Sequence, residues 1–428
     1  MPNYAAFLGH QPLISIAELS AALDDFSLNT ILDNRVAMFE TSEDLDQDFL
    51  DTLGGTVVLA KQITQEDLTL DDIHKVLINE IGNKRGKVTF SLRTHNIPRQ
   101  TIATLYRRCK KALKGQGRPC RYVGSEKKPA PSIVLFESEI IDGKGGCELV
   151  ILGIREDDDS SRLWIGRTVA AQDIDWYSFR DMEKPVRDTT IGLLPPKLAQ
   201  ILLNFGAFLV RESDVGRSTL DVQRPKSNIR SKRKKNNTLT IYDPFCGTGV
   251  IPMEALLRNW PVLASDAAKK AVKGCTKNLD WLRKEEKIFK KDVPSDVWKQ
   301  DATKPFELDE PPDVIVTETT LGPPMTYRPP MKEVAKLKTQ NEKLQTQFLE
   351  NVAATLPGVP IVCAWPAWKQ KGGWVHLEKV WKVIEKLKYR PCLPPEVELE
   401  IPGRMSLFYR RKDQFVGREI VMLMPAKE

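Results

Sequence analysis

The stretch D-P-F-C-G-T-G-V, residues 243–250, decides how this chain reads. It follows a short apolar run, Leu239–Tyr242, and opens a helical pattern that reaches Arg258. Gly247 and Gly249 remove side chains where a ligand must come close to the backbone. Backbone N–H groups and a helix N-terminus then face that ligand and suit an anionic group. The Lys-Ser/Thr pair of a phosphate-binding loop is missing, as is the third glycine of the dinucleotide fingerprint, so neither of those sites is expected. Outward from this loop, apolar runs alternate with helical patterns. Val262–Ser265 precedes a helix over 267–284, Val314–Thr317 precedes 331–355, and Pro360–Ala364 precedes a helix at about 375–388. Such alternation predicts an α/β fold with a mostly parallel sheet. Ligands of such sheets sit at the C-terminal ends of the strands. A plain strand-to-helix turn is the bland alternative.

In this setting D-P-F-C-G-T-G resembles motif I of class I S-adenosylmethionine-dependent methyltransferases. Two acids follow in the order that fold needs. Asp266 ends the second run, where an acid can accept both ribose hydroxyls of an adenosine. Asp301, in Q-D-A-T, stands where an acid accepts from the adenine amino group. Each alone reads more readily as a helix cap or a surface acid. The fourth run ends in T-E-T-T-L-G-P-P at 317–324, where amino-methyltransferases carry Asn or Asp, two prolines and an aromatic. An exocyclic amine is a poor nucleophile, and an acceptor side chain that aims its lone pair supplies most of what methyl transfer needs. Glu318, beside Thr317, is the candidate acceptor and is one methylene longer than Asp. The prolines come late, and no aromatic follows at once. Tyr327, Trp365 or Trp368 is the candidate to stack on a flipped base.

The net charge of +7 hides opposed blocks. Residues 1–75 hold 14 acids and 3 bases, or −11, while residues 84–128 hold 14 bases and one acid, or +13. Residues 101–114 read as an amphipathic helix with Arg107, Arg108, Lys110 and Lys111 on one side, ended by Gly115. Lys84, Arg85, Arg93, Arg118 and Arg121 extend the basic block, which would neutralise phosphates without reading sequence. A solvated helix face is the competing reading. A second basic run, at 224–235, has almost no apolar residues and reads as an exposed insertion loop over 224–237. The seven cysteines lack CxxC pairs, so a reducing compartment and no structural metal are expected. No membrane-spanning stretch or signal peptide is expected either.

The first half interleaves short strands and helices: strands at Tyr4–Leu8, Arg35–Glu40, Thr56–Ala60 and Val88–Leu92, and helices at Ser15–Leu23, 69–81 and Ser132–Ile141. This predicts small α+β modules. Y-A-A-F-L-G-H at 4–10, G-G-T-V-V-L-A-K at 54–61, W-I-G-R-T-V-A-A-Q-D-I-D-W-Y-S-F-R-D at 164–181 and P-V-R-D-T-T-I-G-L-L-P-P-K-L-A-Q at 185–200 occur in order with motif I and the C-terminal R-M-S-L-F-Y-R-R. Together they resemble the THUMP-domain tRNA guanosine-N2 methyltransferases of the Trm-eleven type. The resemblance implies a ferredoxin-like domain over 1–65, an RNA-binding THUMP domain over 66–172, a linker over 173–190, and a Rossmann-like class I methyltransferase domain with a seven-stranded sheet over 191–428. It implies S-adenosylmethionine as cofactor, held by Pro195, Asp243, Phe245, Gly247, Gly249, Asp266 and Asp301. It also implies methylation of guanosine N2 near tRNA position ten, a cytoplasmic location, and in some relatives a small activator subunit. Two competing readings are a non-catalytic tRNA-binding or maturation protein on a methyltransferase scaffold and a ribosomal-RNA guanine-N2 methyltransferase.

Overall fold

The structure, a computed structural model, describes residues 3–64, 68–82, 86–141, 143–144, 146–155, 161–188, 194–218 and 238–426. The expected insertion loop over 224–237 and the candidate RNA ligands Lys84 and Arg85 lie outside the described residues. The chain divides into two compact units. The first holds 1–12, 23–52 and 56–176; the second holds 13–22, 53–55 and 177–428.

In chain order the N-terminal part runs β1 (Asn3–Leu8), α1 (Pro12–Ala22), β2 (Ser27–Leu32), β3 (Val36–Glu40), α2 (Gln47–Leu50), β4 (Thr56–Gln62), α3 (Ile73–Ile81), β5 (Val88–His95), α4 (Arg99–Gly115), β6 (Cys120–Tyr122), α5 (Ser132–Glu137), β7 (Gly146–Arg155), β8 (Ser161–Ala171) and α6 (Ile174–Met182). The eight strands form one sheet in the order β2-β3-β1-β4-β8-β7-β5-β6. The antiparallel pairing of β4 with β8 joins what the sequence suggests are separate modules into that one sheet. β2 is absent from the sequence reading. It closes on β3 through Asp33, Asn34 and Arg35, with Asp33 and Asn34 at positive φ, which these residue types tolerate better than most. Under the sheet, Ile102, Leu105, Cys109 and Leu113 of α4 pack with Phe90, Leu149 and Ile151, which is the apolar stripe its spacing predicts.

The C-terminal part continues with α7 (Pro196–Ser218), β9 (Ile241–Asp243), α8 (Val250–Leu257), β10 (Val262–Asp266), α9 (Lys269–Glu286), β11 (Ser295–Lys299), β12 (Val314–Glu318), α10 (Met331–Thr355), β13 (Ile361–Gln370), β14 (Gly373–Val375), α11 (Lys379–Lys386), β15 (Tyr389–Pro391), β16 (Leu407–Tyr409) and β17 (Val416–Pro425). The main path of the sheet is β11-β10-β9-β12-β13-β17-β15, with β14 on β13 and β16 on β17. The pairings from β11 to β13 are parallel, and β17 runs antiparallel between β13 and β15. The order reverses between β9 and β12, which opens a crevice beyond their C-terminal ends. This is a Rossmann-like α/β fold. Its central strands read as continuous apolar runs because helices cover both faces. Leu202, Phe205 and Leu209 of α7 lie in one core with Ile251 and Leu256 of α8 and Val316 of β12. Phe348, Leu349 and Val352 of α10 fill another with Ile315, Ile361 and Trp365.

Helix α1 belongs to this second unit. Its Glu18 is fully buried and accepts from the N–H groups of Gly54 (2.8 Å) and Gly55 (2.7 Å) and from Nδ2 of Asn204 (2.7 Å). Burial outweighs these three donors and pushes its carboxyl up to about 7.

Candidate active site

The strand ends around the reversal carry the site. Asp243 closes β9 and is buried. Its Oδ1 accepts from Oγ1 of Thr317 (2.6 Å) and from the N–H of Phe245 (3.2 Å). Burial is the larger influence and raises its carboxyl to about 7, against the pull of those two donors. The loop after it turns sharply, with Gly247 at φ +51° and Gly249 at φ +89°. A Cβ on Gly249 would come within 2.7 Å of Cys275 Sγ on α9, so glycine is needed here to let α8 start against its neighbour.

Asp266 closes β10 and reaches back to this loop. Its Oδ2 accepts from the N–H of Gly247 (3.1 Å) and its Oδ1 from the N–H of Ala268 (2.8 Å). Asp301 follows β11, and its Oδ1 accepts from the N–H (2.9 Å) and hydroxyl (2.8 Å) of Thr303. Those bonds hold its carboxyl below the usual range. Glu318 closes β12.

These four acids border one cavity of about 350 Å³. Phe245, Ile251, Ala267, Ala302 and Leu321 give it apolar walls, and the N-terminus of α8 opens onto it through Val250. Four carboxyl groups at its border favour a ligand that carries hydroxyl or amino donors. The first-turn N–H groups of Val250 and Ile251, at the α8 terminus, offer a place for one carboxylate.

The other expected site residues fall as follows. Phe245 lines the cavity and meets Phe348 edge to face at 5.2 Å. Gly247 lines it, whereas Gly249 does not and serves the packing of α8 on α9. Pro195 does not line it either. It caps α7, with its carbonyl accepting from the N–H groups of Leu198 and Ala199, while its neighbour Leu194 lines the cavity. Thr317, expected beside the chemistry, is buried and outside the cavity lining, where it holds Asp243. Trp365 is fully buried, and its Nε1 donates to Glu419 (3.2 Å). That corrects its assignment as a base-stacking residue, because β13 is central and covered on both faces. Trp368 is equally enclosed. Tyr327 is 59 % exposed, outside the cavity lining.

The sequence reading missed Arg418. It lies on β17, one hundred residues from Glu318, and its Nε donates to Glu318 Oε1 at 2.5 Å. The side chains are 6 % and 9 % exposed. Also missed was Asn278 on α9. Its Oδ1 accepts from the N–H of Val186, and its Nδ2 donates to the carbonyls of Val186 (2.9 Å) and Thr248 (2.8 Å). It thereby ties the 185–188 segment to the Gly247–Gly249 loop.

In the first unit, Arg107, Lys111 and Arg121 are exposed on and beside α4, and Lys110 lies 5.4 Å from the ring of the exposed Tyr122. Arg108 pairs with Asp71, and Arg118 donates to the Gly82 carbonyl. Arg93 corrects the expectation. It is buried, paired with Glu148 at 2.9 Å and bonded to the Ala130 carbonyl, and so holds the sheet rather than a phosphate.

Among the described residues, no group of three or more His, Cys, Asp or Glu side chains could hold a metal ion, and no helix is long and apolar enough to cross a membrane.

The strand order and the acid-lined cavity at the reversal define a Rossmann-like α/β fold with a ligand cavity at its strand ends. No protein-family model matches the chain, and no curated protein matches it. Among solved structures, TrmN from Thermus thermophilus is similar over 99 % of this chain and 100 % of its own, at 15 % identity and a TM-score of 0.46. A possible methylase from Clostridium difficile 630 is similar over 100 % and 98 %, at 10 % identity and a TM-score of 0.44. The magnesium protoporphyrin IX methyltransferase of Synechocystis PCC 6803, with bound SAM, is similar over 60 % of this chain and 99 % of its own, at 14 % identity and a TM-score of 0.29.

Proposed function

We propose that the chain is an S-adenosylmethionine-dependent RNA methyltransferase that acts on the exocyclic N2 of a guanosine in tRNA. The observation that carries this reading is the placement of Asp243, Asp266 and Asp301, which end or follow three adjacent strands around one cavity, with Glu318 ending the next strand, β12. The donor set suits the cofactor. Asp266 can accept from a ribose diol, Asp301 from an adenine amino group, and Ile251, Ala267 and Ala302 can flank the adenine. The cavity volume falls within the usual range for such a ligand. Bound there, the cofactor supplies a methyl group on a sulfonium.

The chain's own residues would do the rest. Glu318, held by Arg418, accepts an N–H of the guanine amine and aims its lone pair into the cavity. Arg418 restricts the rotamers of Glu318, so less freedom is lost when the base arrives. Thr317 and the Phe245 N–H hold Asp243 in place behind the cofactor. In this reading the first unit, with the THUMP-like segment and the exposed Arg107 and Lys111, grips the tRNA in the cytoplasm. An activator subunit, as in some relatives of the type the sequence resembles, remains part of the proposal for the partners.

A second reading is tRNA binding without methyl transfer. One observation favours it: Glu318 already spends one carboxylate oxygen on Arg418. Titration calorimetry with S-adenosylmethionine, followed by transfer of tritiated methyl to a tRNA transcript, separates the two. Binding with transfer supports the enzyme, and tRNA binding with neither supports the second reading.

A further inference from the structure

We propose that a second cavity, beside the first, seats the acceptor nucleotide of an RNA, and that three basic segments around it hold the flanking phosphates. This rests on the methyltransferase reading and names where its substrate enters. The cavity measures about 330 Å³ and is bounded by Pro323, Pro324, Met325, Gln414, Phe415 and Arg418. It shares Leu321 and Gly322 with the cofactor cavity. Glu318 lines one and Arg418 the other, so their ion pair stands in the wall between them. A base in the second cavity therefore lies next to the acid that would orient its amine.

The walls suit a guanine. The prolines, Met325 and Phe415 offer apolar faces to a flat ring. Oε1 of Gln414 is buried and has no hydrogen-bond partner among the described residues. A buried acceptor left unmade is costly, and the N–H donors along one guanine edge would satisfy it.

The surroundings suit RNA rather than a free base. Segments 322–330, 369–373 and 410–414 are tied together at this cavity. Nε2 of Gln370 donates to the Pro329 carbonyl (2.9 Å), the N–H of Lys369 to the Phe415 carbonyl (2.9 Å), and Nζ of Lys369 to the Lys412 carbonyl (3.3 Å). They carry six cations, Arg328, Lys369, Lys371, Arg410, Arg411 and Lys412, against the single acid Asp413. Arg410 pairs with Glu400 and Arg411 lines the cavity, while Arg328, Lys369, Lys371 and Lys412 lie on the same three segments and give them a net positive charge.

The test uses the full chain, S-adenosylmethionine and an unmodified tRNA transcript. Lys369→Ala, Lys371→Ala and Lys412→Ala together should lower tRNA affinity about tenfold and flatten its salt dependence by about two in log–log slope, with cofactor affinity unchanged. Gln414→Leu should slow single-turnover transfer about tenfold or more while tRNA affinity stays within about twofold, because a hydrogen-bond acceptor for the guanine edge is gone. Cofactor affinity, read by calorimetry in each variant, shows that the unit is folded. As a readout independent of substitution, a 6-thioguanosine-containing tRNA should crosslink to peptides within 322–330 or 410–418. Unchanged salt slope and rate in the variants, or crosslinks confined to the first unit, would overturn the proposal. Absence of cofactor binding in the parent protein would instead overturn the enzyme reading, while the slope and the crosslinks still judge this surface.

Discussion

Arg418→Met isolates the contact that the account places at the heart of the site. The guanidinium donates from Nε to Glu318 Oε1 at 2.5 Å, and both side chains are over nine-tenths buried. Removing one partner of such a pair leaves a carboxylate without its countercharge, at a cost of roughly 3–5 kcal/mol. Arg418 also lies 5.7 Å from the Tyr409 ring, a contact whose loss adds roughly 0.5–1 kcal/mol. For a unit of this size each kcal/mol shifts the melting temperature by about 2–4 °C, so the variant should melt roughly 10 °C lower. Replacing both charges changes the balance. Glu318→Gln with Arg418→Met leaves no buried unpaired charge, and the double variant should recover roughly 2–3 kcal/mol of the loss. The assay is a thermal melt of the four proteins of that cycle, read with cofactor affinity and single-turnover methyl transfer. Methyl transfer should fall in all three variants, while cofactor affinity in Arg418→Met stays near the parent value, since Arg418 does not line the first cavity. A melt within about 2 °C of the parent for Arg418→Met, or strict additivity in the cycle, would refute the reasoning.

Further predictions follow from the same geometry. Asp266→Ala should weaken cofactor binding about tenfold or more, because one side chain both shapes the Gly247 loop and faces the cavity; calorimetry at fixed pH reads it, and an unchanged affinity removes the ribose assignment. Asp243 has a carboxyl raised to about 7 by burial, so in the free protein it is largely protonated below that pH. A cationic ligand favours the carboxylate, and cofactor affinity should therefore rise as pH increases through about 7, with proton release on binding. Asp243→Asn should flatten that profile, and a parent profile already flat contradicts it. The same raised carboxyl, with that of Glu18, binds more protons folded than unfolded. Stability of the free protein should thus decline as pH rises from about 4 to about 7, measurable by denaturant titration. Finally, Arg107→Ala with Lys111→Ala in the first unit should lower tRNA affinity and flatten its salt slope by about 1.5, and an unchanged slope returns that face to simple solvation.

The strand-loop-helix units were legible because each is local. The run ending at Asp243, its glycine turn and α8 are consecutive, and Asp266, Asp301 and Glu318 end or follow strands that their own apolar runs announce. The sheet order then brings those ends to one cavity without further information. What the sequence hid is what depends on distant pairing. Nothing near Arg418 points to Glu318, because β17 reaches β13 only after β14, β15 and β16 have intervened. Arg93 sits in a basic block, and composition does not reveal that Glu148 neutralises it inside the sheet. Trp365 reads as an aromatic near the site, while only the pairing of β13 between β12 and β17 shows that its ring is enclosed. Strands β2 and β11 escaped for a related reason. Both mix polar and apolar residues, and both lie at the ends of their sheets, where burial is partial.

Methyl transfer to guanosine N2 beside Glu318 is the proposed reaction. It is tested most directly by mass spectrometry of the nucleosides from an unmodified tRNA incubated with the protein and S-adenosylmethionine, alongside the Glu318→Ala variant. The account predicts N2-methylguanosine with the parent and a loss of at least a hundredfold with the variant, which still binds the cofactor. N2-methylguanosine formed equally by both proteins, or a different methylated nucleoside in its place, would contradict it.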